Sequence, residues 1–326
     1  MKTRRDFLKR TALFGASAFM APSLLGREGD GDCFFSQESA SSMLVPMGDA
    51  LKITGTFLDE ISHDIPHQNW GRKEWEADFQ RMHSIGIDTV ILIRCGLRRW
   101  MTYPSQVLAR ECLGYLPPLD LVDLFLELAE RYGMKFFMGT YDSGYYWKNG
   151  DPFREQEINR AVINEVWEKY GHRKAFQGWY LTQEISRKMC GTVDIYAQIG
   201  RLCKELSGNL PVMISPYFDG MKSISAFNSD IIRKDRSISV EEHAREWNDI
   251  LSGIQDAVDI LAFQDGYCDF SELKDFLSAN RELADLHGMQ CWTNCESFDR
   301  DMPIKFLPIK WEKMLLKLKA AQAAGI

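Results

Sequence analysis

The chain has 326 residues, 45% of them hydrophobic and 26% charged, with a formal net charge of −7 at pH 7. That length suits one large α/β domain with a sizeable core. The acidic balance argues against nucleic acid and anionic membranes as partners, since both would repel it.

The first residues read Thr3-Arg4-Arg5-Asp6-Phe7-Leu8-Lys9, followed by a small-residue apolar stretch from Thr11 to Leu25. That stretch is too short and broken to span a bilayer, and the paired arginines before it read as a twin-arginine export signal over residues 1–30. The export machinery is then a partner, and the mature protein is expected in the periplasm or outside the cell, with no membrane contact after cleavage. Removing the first ten residues, with Lys2, Arg4, Arg5, Lys9 and Arg10 set against Asp6, takes the formal charge from −7 to about −11. Residues 31–50 read as a flexible mature N-terminus.

From residue 51 a repeating grammar begins. Helical stretches end in glycine and hand over to an apolar run at Gly86-Ile87, Gly133-Met134 and Gly288-Met289, because glycine suits the left-handed position past a helix. Predicted strands run from Leu51 to Leu58, Thr89 to Cys95, Lys135 to Tyr141, Gln177 to Thr182, Val212 to Tyr217, Ile260 to Gln264 and Gln290 to Cys295. Predicted helices lie near 72–85, 119–132, 154–170, 193–206, 239–254, 270–287 and 308–324. In the first of them Trp75, Phe79, Met82 and Ile85 share one face. Such alternation predicts a parallel sheet. With no Gly-x-Gly-x-x-Gly turn after the first strand, a (β/α)8 TIM barrel over residues 51–326 fits better than a dinucleotide-binding sheet. The last helix closes on Gly325-Ile326 after seven strands. The expectation is therefore a barrel truncated before or within its eighth strand, with closure by residues 34–50 as the alternative.

Eight cysteines are scattered without a tight framework. A chain that folds before twin-arginine export keeps thiols reduced, so most are expected as buried small apolar residues, with at most one late bridge. Cys291 and Cys295 fall on one face of a strand, a weak metal signal.

In a barrel the carboxyl ends of the strands face the active site. Here those positions are dense in carboxylates, amides and aromatics: Glu60 and Trp70 after the first strand, Trp100 after the second, then Asp142, Tyr146 and Trp147. Gln183 and Glu184 follow the fourth strand, Tyr217 the fifth, Gln264 and Asp265 the sixth. Trp292, Asn294 and Glu296 belong to the seventh. Aromatic faces stack on sugar rings and carboxylates bind hydroxyls, so a carbohydrate substrate is expected. Glycosidic cleavage needs one carboxyl to protonate the leaving oxygen and a second to attack the anomeric carbon or activate water. Glu184 and Glu296 can fill those roles without cofactor or metal.

The stretches Ile53-Thr54-Gly55-Thr56-Phe57-Leu58, Gly178-Trp179-Tyr180-Leu181-Thr182-Gln183-Glu184-Ile185 and Cys291-Trp292-Thr293-Asn294-Cys295-Glu296-Ser297-Phe298 resemble the exported glycoside-hydrolase-like barrels of the DUF4434 family. The resemblance covers about residues 51–326 and implies a TIM barrel and carbohydrate chemistry. A more distant likeness, to retaining glycosidases of the largest barrel clan, implies Glu184 as acid/base and Glu296 as nucleophile. Those enzymes place Asn before the acid/base, where this chain has Gln183.

Rival readings stay open. A non-catalytic exported carbohydrate-binding barrel would keep the aromatic lining and tolerate loss of either glutamate. A metal-dependent sugar isomerase or hydrolase could use His63-Asp64-x-x-His67 with Glu184 or Glu296 as further ligands. A serine hydrolase lacks its Gly-x-Ser-x-Gly elbow. The cluster of Arg94, Arg98 and Arg99 either pairs with nearby acids or binds a carboxylated sugar.

Overall fold

The computed structural model describes residues 51–62, 70–189, 191–220, 237–300 and 307–326. The expected export signal, the mature N-terminus, the segment 34–50 and the His63-to-His67 run lie outside them.

Seven strands form one parallel sheet in chain order: β1 Gly55–Leu58, β2 Thr89–Leu92, β3 Lys135–Gly139, β4 Phe176–Leu181, β5 Val212–Ile214, β6 Ile260–Gln264 and β7 Gln290–Asn294. Their helices are α1 Arg72–Ser84, α2 Leu121–Tyr132, α3 Pro152–Tyr170, α4 Thr192–Ser207, α5 Val240–Ser252, α6 Leu273–Leu286 and α7 Trp311–Ala323. Gly86, Gly133 and Gly288 adopt φ of +92°, +65° and +67°, as the helix-to-strand handover requires. Three of the helices, α2, α3 and α5, start where a side chain caps them: Asp120, Asp151 and Ser239 accept from the third residue onward at 3.0, 3.1 and 3.2 Å. That capping moves the second helix start from the expected 119 to Leu121.

A parallel sheet that keeps chain order sends every right-handed crossover to the same face, whereas a doubly wound sheet reverses its order midway. The opposite face must bury itself by rolling. It does so around Ile91, Phe137, Tyr180, Met213, Ile260 and Ala262, with Phe57 and Trp292 packed against them. The ring centroids of Phe57 on β1 and Tyr180 on β4 lie 5.4 Å apart. A flat sheet would separate those strands by about 14 Å. Phe137 on β3 and Trp292 on β7 approach to 6.2 Å, against about 19 Å if flat. Gly178 on β4 makes room for this filling, since a Cβ there would stand 2.2 Å from the Phe137 ring. On the outer face Trp75 and Phe79 of α1 pack on Phe125 of α2 in a larger core that includes Val90, Met138 and Trp179.

Several ladders stop before the expected strand ends. β2 ends at Leu92 and β3 at Gly139, because the chain beyond them forms a second, smaller ladder: Gly96–Leu97 pairs with Trp100–Met101 on one side and Tyr141–Asp142 on the other. β5 ends at Ile214 and β7 at Asn294, short of the expected Tyr217 and Cys295. The six described cysteines carry free thiols. Burial pushes Cys291 up to about 11 and Cys295 up to about 12, so neither is a thiolate at neutral pH. No helix among the described residues is long and apolar enough to cross a membrane.

Candidate active site

Directly above the apolar filling, the inward positions turn polar. Two residues beyond Phe57, Met213, Ala262 and Trp292 stand Asp59, Ser215, Gln264 and Asn294, as period-two alternation dictates. Gln264 Nε2 donates to the Ser215 carbonyl at 2.7 Å, and Asn294 Nδ2 donates to Ser215 Oγ at 3.3 Å. This amide layer joins the ends of β5, β6 and β7.

Glu184 lies half-buried just past β4, within this layer. The Tyr180 hydroxyl donates to its Oε1 at 2.9 Å, and Gln264 also hydrogen-bonds it. Burial raises the Glu184 pKa; Arg94, Tyr180 and Gln264 oppose that rise without cancelling it. For Arg94 burial works against the charge, but Glu184, Asp59 and Asp142 around it prevail and raise its pKa. Arg94 Nη1 lies 3.6 Å from Asp142 Oδ2. Asp142 Oδ1 in turn accepts from Trp147 Nε1 at 2.8 Å and from the Gly144 N–H at 2.7 Å. Three carboxylates therefore surround one guanidinium at the ends of β1 to β4.

Glu296 is buried two residues past β7. Both of its carboxylate oxygens accept from Arg300, which also donates to the Tyr267 hydroxyl at 2.9 Å and lies 4.4 Å over that ring. Its N–H donates to Asp265 Oδ1 at 2.9 Å. Tyr217 bridges the two halves: its N–H bonds the Ile185 carbonyl at 3.0 Å and its ring sits 5.7 Å from Tyr267.

Among the residues expected to bind substrate, Asp142, Tyr217, Gln264 and Asn294 gather with Glu184 at this opening. Others stand elsewhere. Gln183 is fully buried behind the strand, its amide donating to the Tyr141 carbonyl and to Glu155 Oε1, each at 2.9 Å. Asp265 is 2% exposed and bonded inward to Lys317 and Glu296. Trp147 is buried against Asp142, and Glu60 is buried beside β1. Trp70 packs edge-on to Trp75 at 5.0 Å, in the helical layer, and Trp292 fills the sheet interior. Tyr146 lies half-buried beside Tyr145. Trp100 is 57% exposed on the small ladder, with Tyr115 at 5.0 Å. Of the basic cluster, Arg94 joins the acidic group while Arg99 covers the Tyr115 ring at 4.2 Å.

Tyr180, Arg300 and Lys317 were not legible as site residues. Tyr180 stands an even number of residues before Glu184 and so shares its face, a signal that alternation offers in retrospect. A buried lysine in a surface-like helix offers none.

An all-parallel α/β sheet in chain order, with a polar, carboxylate-rich ring over its apolar filling, defines the class of protein. Residues 53–326 match the family described as "Domain of unknown function (DUF4434)", and the chain belongs to that family. A candidate alpha-L-fucosidase from Bacteroides thetaiotaomicron VPI-5482, solved as a crystal structure, is 55% identical, with 87% of this chain and 88% of that chain covered and a TM-score of 0.80. A GH10 protein from Paenibacillus barcinonensis is 10% identical over 82% of this chain and 79% of its own, with a TM-score of 0.43. The protein CbXyn10B is 11% identical over 82% of this chain and 77% of its own, with a TM-score of 0.46. No curated protein matches the sequence.

Proposed function

We propose that this chain is an exported glycoside hydrolase acting on a poly- or oligosaccharide from a (β/α)8-type barrel. The observation that carries the reading is Glu184: a carboxyl at a strand end whose burial raises its pKa, beside a second carboxylate series on the same opening. A raised pKa keeps the proton available for the leaving glycosidic oxygen.

As the anomeric C–O bond breaks, the Glu184 proton passes to the departing oxygen and its electron pair stays with that oxygen. Positive charge develops on the sugar ring. Glu296 then serves as the second carboxylate, attacking the anomeric carbon or taking a proton from water, according to the gap between the two groups. The Glu184 carboxylate left behind keeps the Tyr180 hydroxyl at 2.9 Å and the Arg94 charge nearby, both of which stabilise the anion. For Glu296 to react, Arg300 must yield at least one oxygen. The 55% identical Bacteroides protein makes α-L-fucosides the first substrates to try.

The test is an aryl-glycoside and polysaccharide panel on the wild type, Glu184→Gln and Glu296→Gln. Loss of about two to four orders of magnitude in kcat is expected in each variant. Near-wild-type rates in both would sink the assignment. The second reading, a non-catalytic carbohydrate-binding barrel, draws on the Arg300 pair that occupies both Glu296 oxygens. It predicts glycan binding unchanged by Glu184→Gln, and no turnover. Export is tested by fractionating cells that carry the full chain with Arg4 and Arg5 intact or replaced by Lys; the arginine form should reach the periplasm or medium.

A further inference from the structure

Glu296 lies beyond Asn294, the last residue that the β6–β7 ladder holds. Its main chain is nonetheless gripped on both sides. The Glu296 N–H donates to Asp265 Oδ1 at 2.9 Å, and its carbonyl accepts from Lys317 Nζ at 2.9 Å. Lys317 Nζ also donates to Asp265 Oδ1 at 2.7 Å, closing a ring of three contacts around one residue. The lysine comes from α7, and both charged side chains are buried, with Lys317 6% exposed.

Lysine is almost never buried unless paired, because its ammonium gives up strong hydration. Stability alone is a poor reason to bury such a pair, since apolar residues of similar size often serve as well; what a fixed charge pair can add is position. Here the pair's hydrogen bonds converge on the N–H and C=O of Glu296. They supply what a neighbouring strand would otherwise supply to a residue past the end of its ladder. Arg300 meanwhile holds the Glu296 side chain, so the two cations divide the work between main chain and carboxylate.

We propose that Lys317 is a positioning residue, which with Asp265 fixes the Glu296 main chain so that the carboxylate stands correctly toward Glu184. This rests on the reading of Glu296 as the second catalytic carboxylate. It makes the last helix part of the site although none of its side chains need touch substrate.

The test uses the full chain as Lys317→Met, Lys317→Arg and the double variant Asp265→Asn/Lys317→Met, which leaves no charge buried alone. Hydrogen exchange of the 294–299 peptide is expected to quicken about tenfold or more in Lys317→Met and in the double variant, while β6 and α7 peptides exchange as in the wild type. On the glycoside that the wild type cleaves, kcat should fall about a hundredfold with KM within about twofold, as misplacement of a reacting group predicts. Lys317→Arg should recover part of both losses. A lysine that merely stabilised the fold would lower the melting temperature and leave kcat of the folded enzyme alone. Unchanged exchange at 294–299, or unchanged kcat in a folded variant, overturns the proposal. If Lys317→Met does not fold, the double variant decides it. If the wild type cleaves no glycoside, the hydrolase reading fails, while the exchange experiment still judges the clamp.

Discussion

Tyr180 donates its hydroxyl hydrogen to Glu184 at 2.9 Å from within the same strand run, and the ring that carries it is fully buried in the sheet interior. A donor to a carboxylate favours its ionised form, so this bond works against the burial that raises the Glu184 pKa. Tyr180→Phe removes the donor and keeps the packing ring. The Glu184 pKa should then climb further, and the alkaline limb of the kcat/KM profile should move to higher pH. Glu184 is the proton donor in this scheme, so a limb that moves to lower pH contradicts it.

Arg300 occupies both oxygens of Glu296, and its own position is fixed by the Tyr267 hydroxyl and ring. A guanidinium in that fork orients the carboxylate as well as neutralising it. Arg300→Gln is expected to lower kcat about ten- to a hundredfold, because a free carboxylate samples rotamers that a reacting one must avoid. Steady-state kinetics on the wild type's substrate decide the matter. A faster variant would mean that the ion pair restrains the enzyme.

That Glu184 and Glu296 lie just past two strand ends was legible because apolar runs and glycine handovers are local in sequence. The seven strands and seven helices followed from the same patterns, with ends displaced where a cap or a side ladder took over, as at Asp120 and Gly96. What was not legible is direction and partnership. Gln183 adjoins Glu184 in sequence yet points to the opposite side of the strand and is used up by Glu155 and the Tyr141 carbonyl. Asp265 looks like a mouth carboxylate until Lys317, 52 residues onward, is found on it. Contacts of that span depend on how the sheet rolls, which no local pattern encodes.

His243 on α5 is buried among Phe218, Phe263 and Phe276, with Nε2 at 2.8 Å from Asn280 Oδ1. Burial lowers its pKa to about 4, while Asn280 and Glu246 pull the other way. The unfolded chain therefore takes up this proton near pH 6.5 and the folded chain only near 4. Its contribution to stability is complete above pH 6.5 and is lost as pH falls toward 4, by up to about 3 kcal/mol. Denaturant titrations of the wild type at pH 7 and pH 5 should show that loss. The double variant His243→Leu/Asn280→Leu, which leaves neither polar partner behind, should show less of it. Equal pH dependence in the two proteins would place the acid sensitivity elsewhere.

Gly139 closes β3 where the backbone of β2 comes nearest. A Cβ there would stand 2.2 Å from the Leu92 carbonyl oxygen and 2.6 Å from the Arg94 nitrogen, and neither atom can rotate away. Gly139→Ala must push the two strands apart, and Arg94, among Glu184, Asp59 and Asp142, moves with its strand. Overpacking of this kind costs about 1–3 kcal/mol, at the upper end where backbone is the obstacle. Gly86 gives the contrast: it sits at φ +92° with nothing within 4 Å of its Cβ. Gly86→Ala should pay only left-handed strain, about 1–2 kcal/mol, and leave the site untouched. Thermal melts and kcat/KM measured on both variants separate the two costs. Gly139→Ala should lose stability and activity together, Gly86→Ala stability alone. Equal activity in the two would mean that the approach of β2 to β3 does not set the position of Arg94.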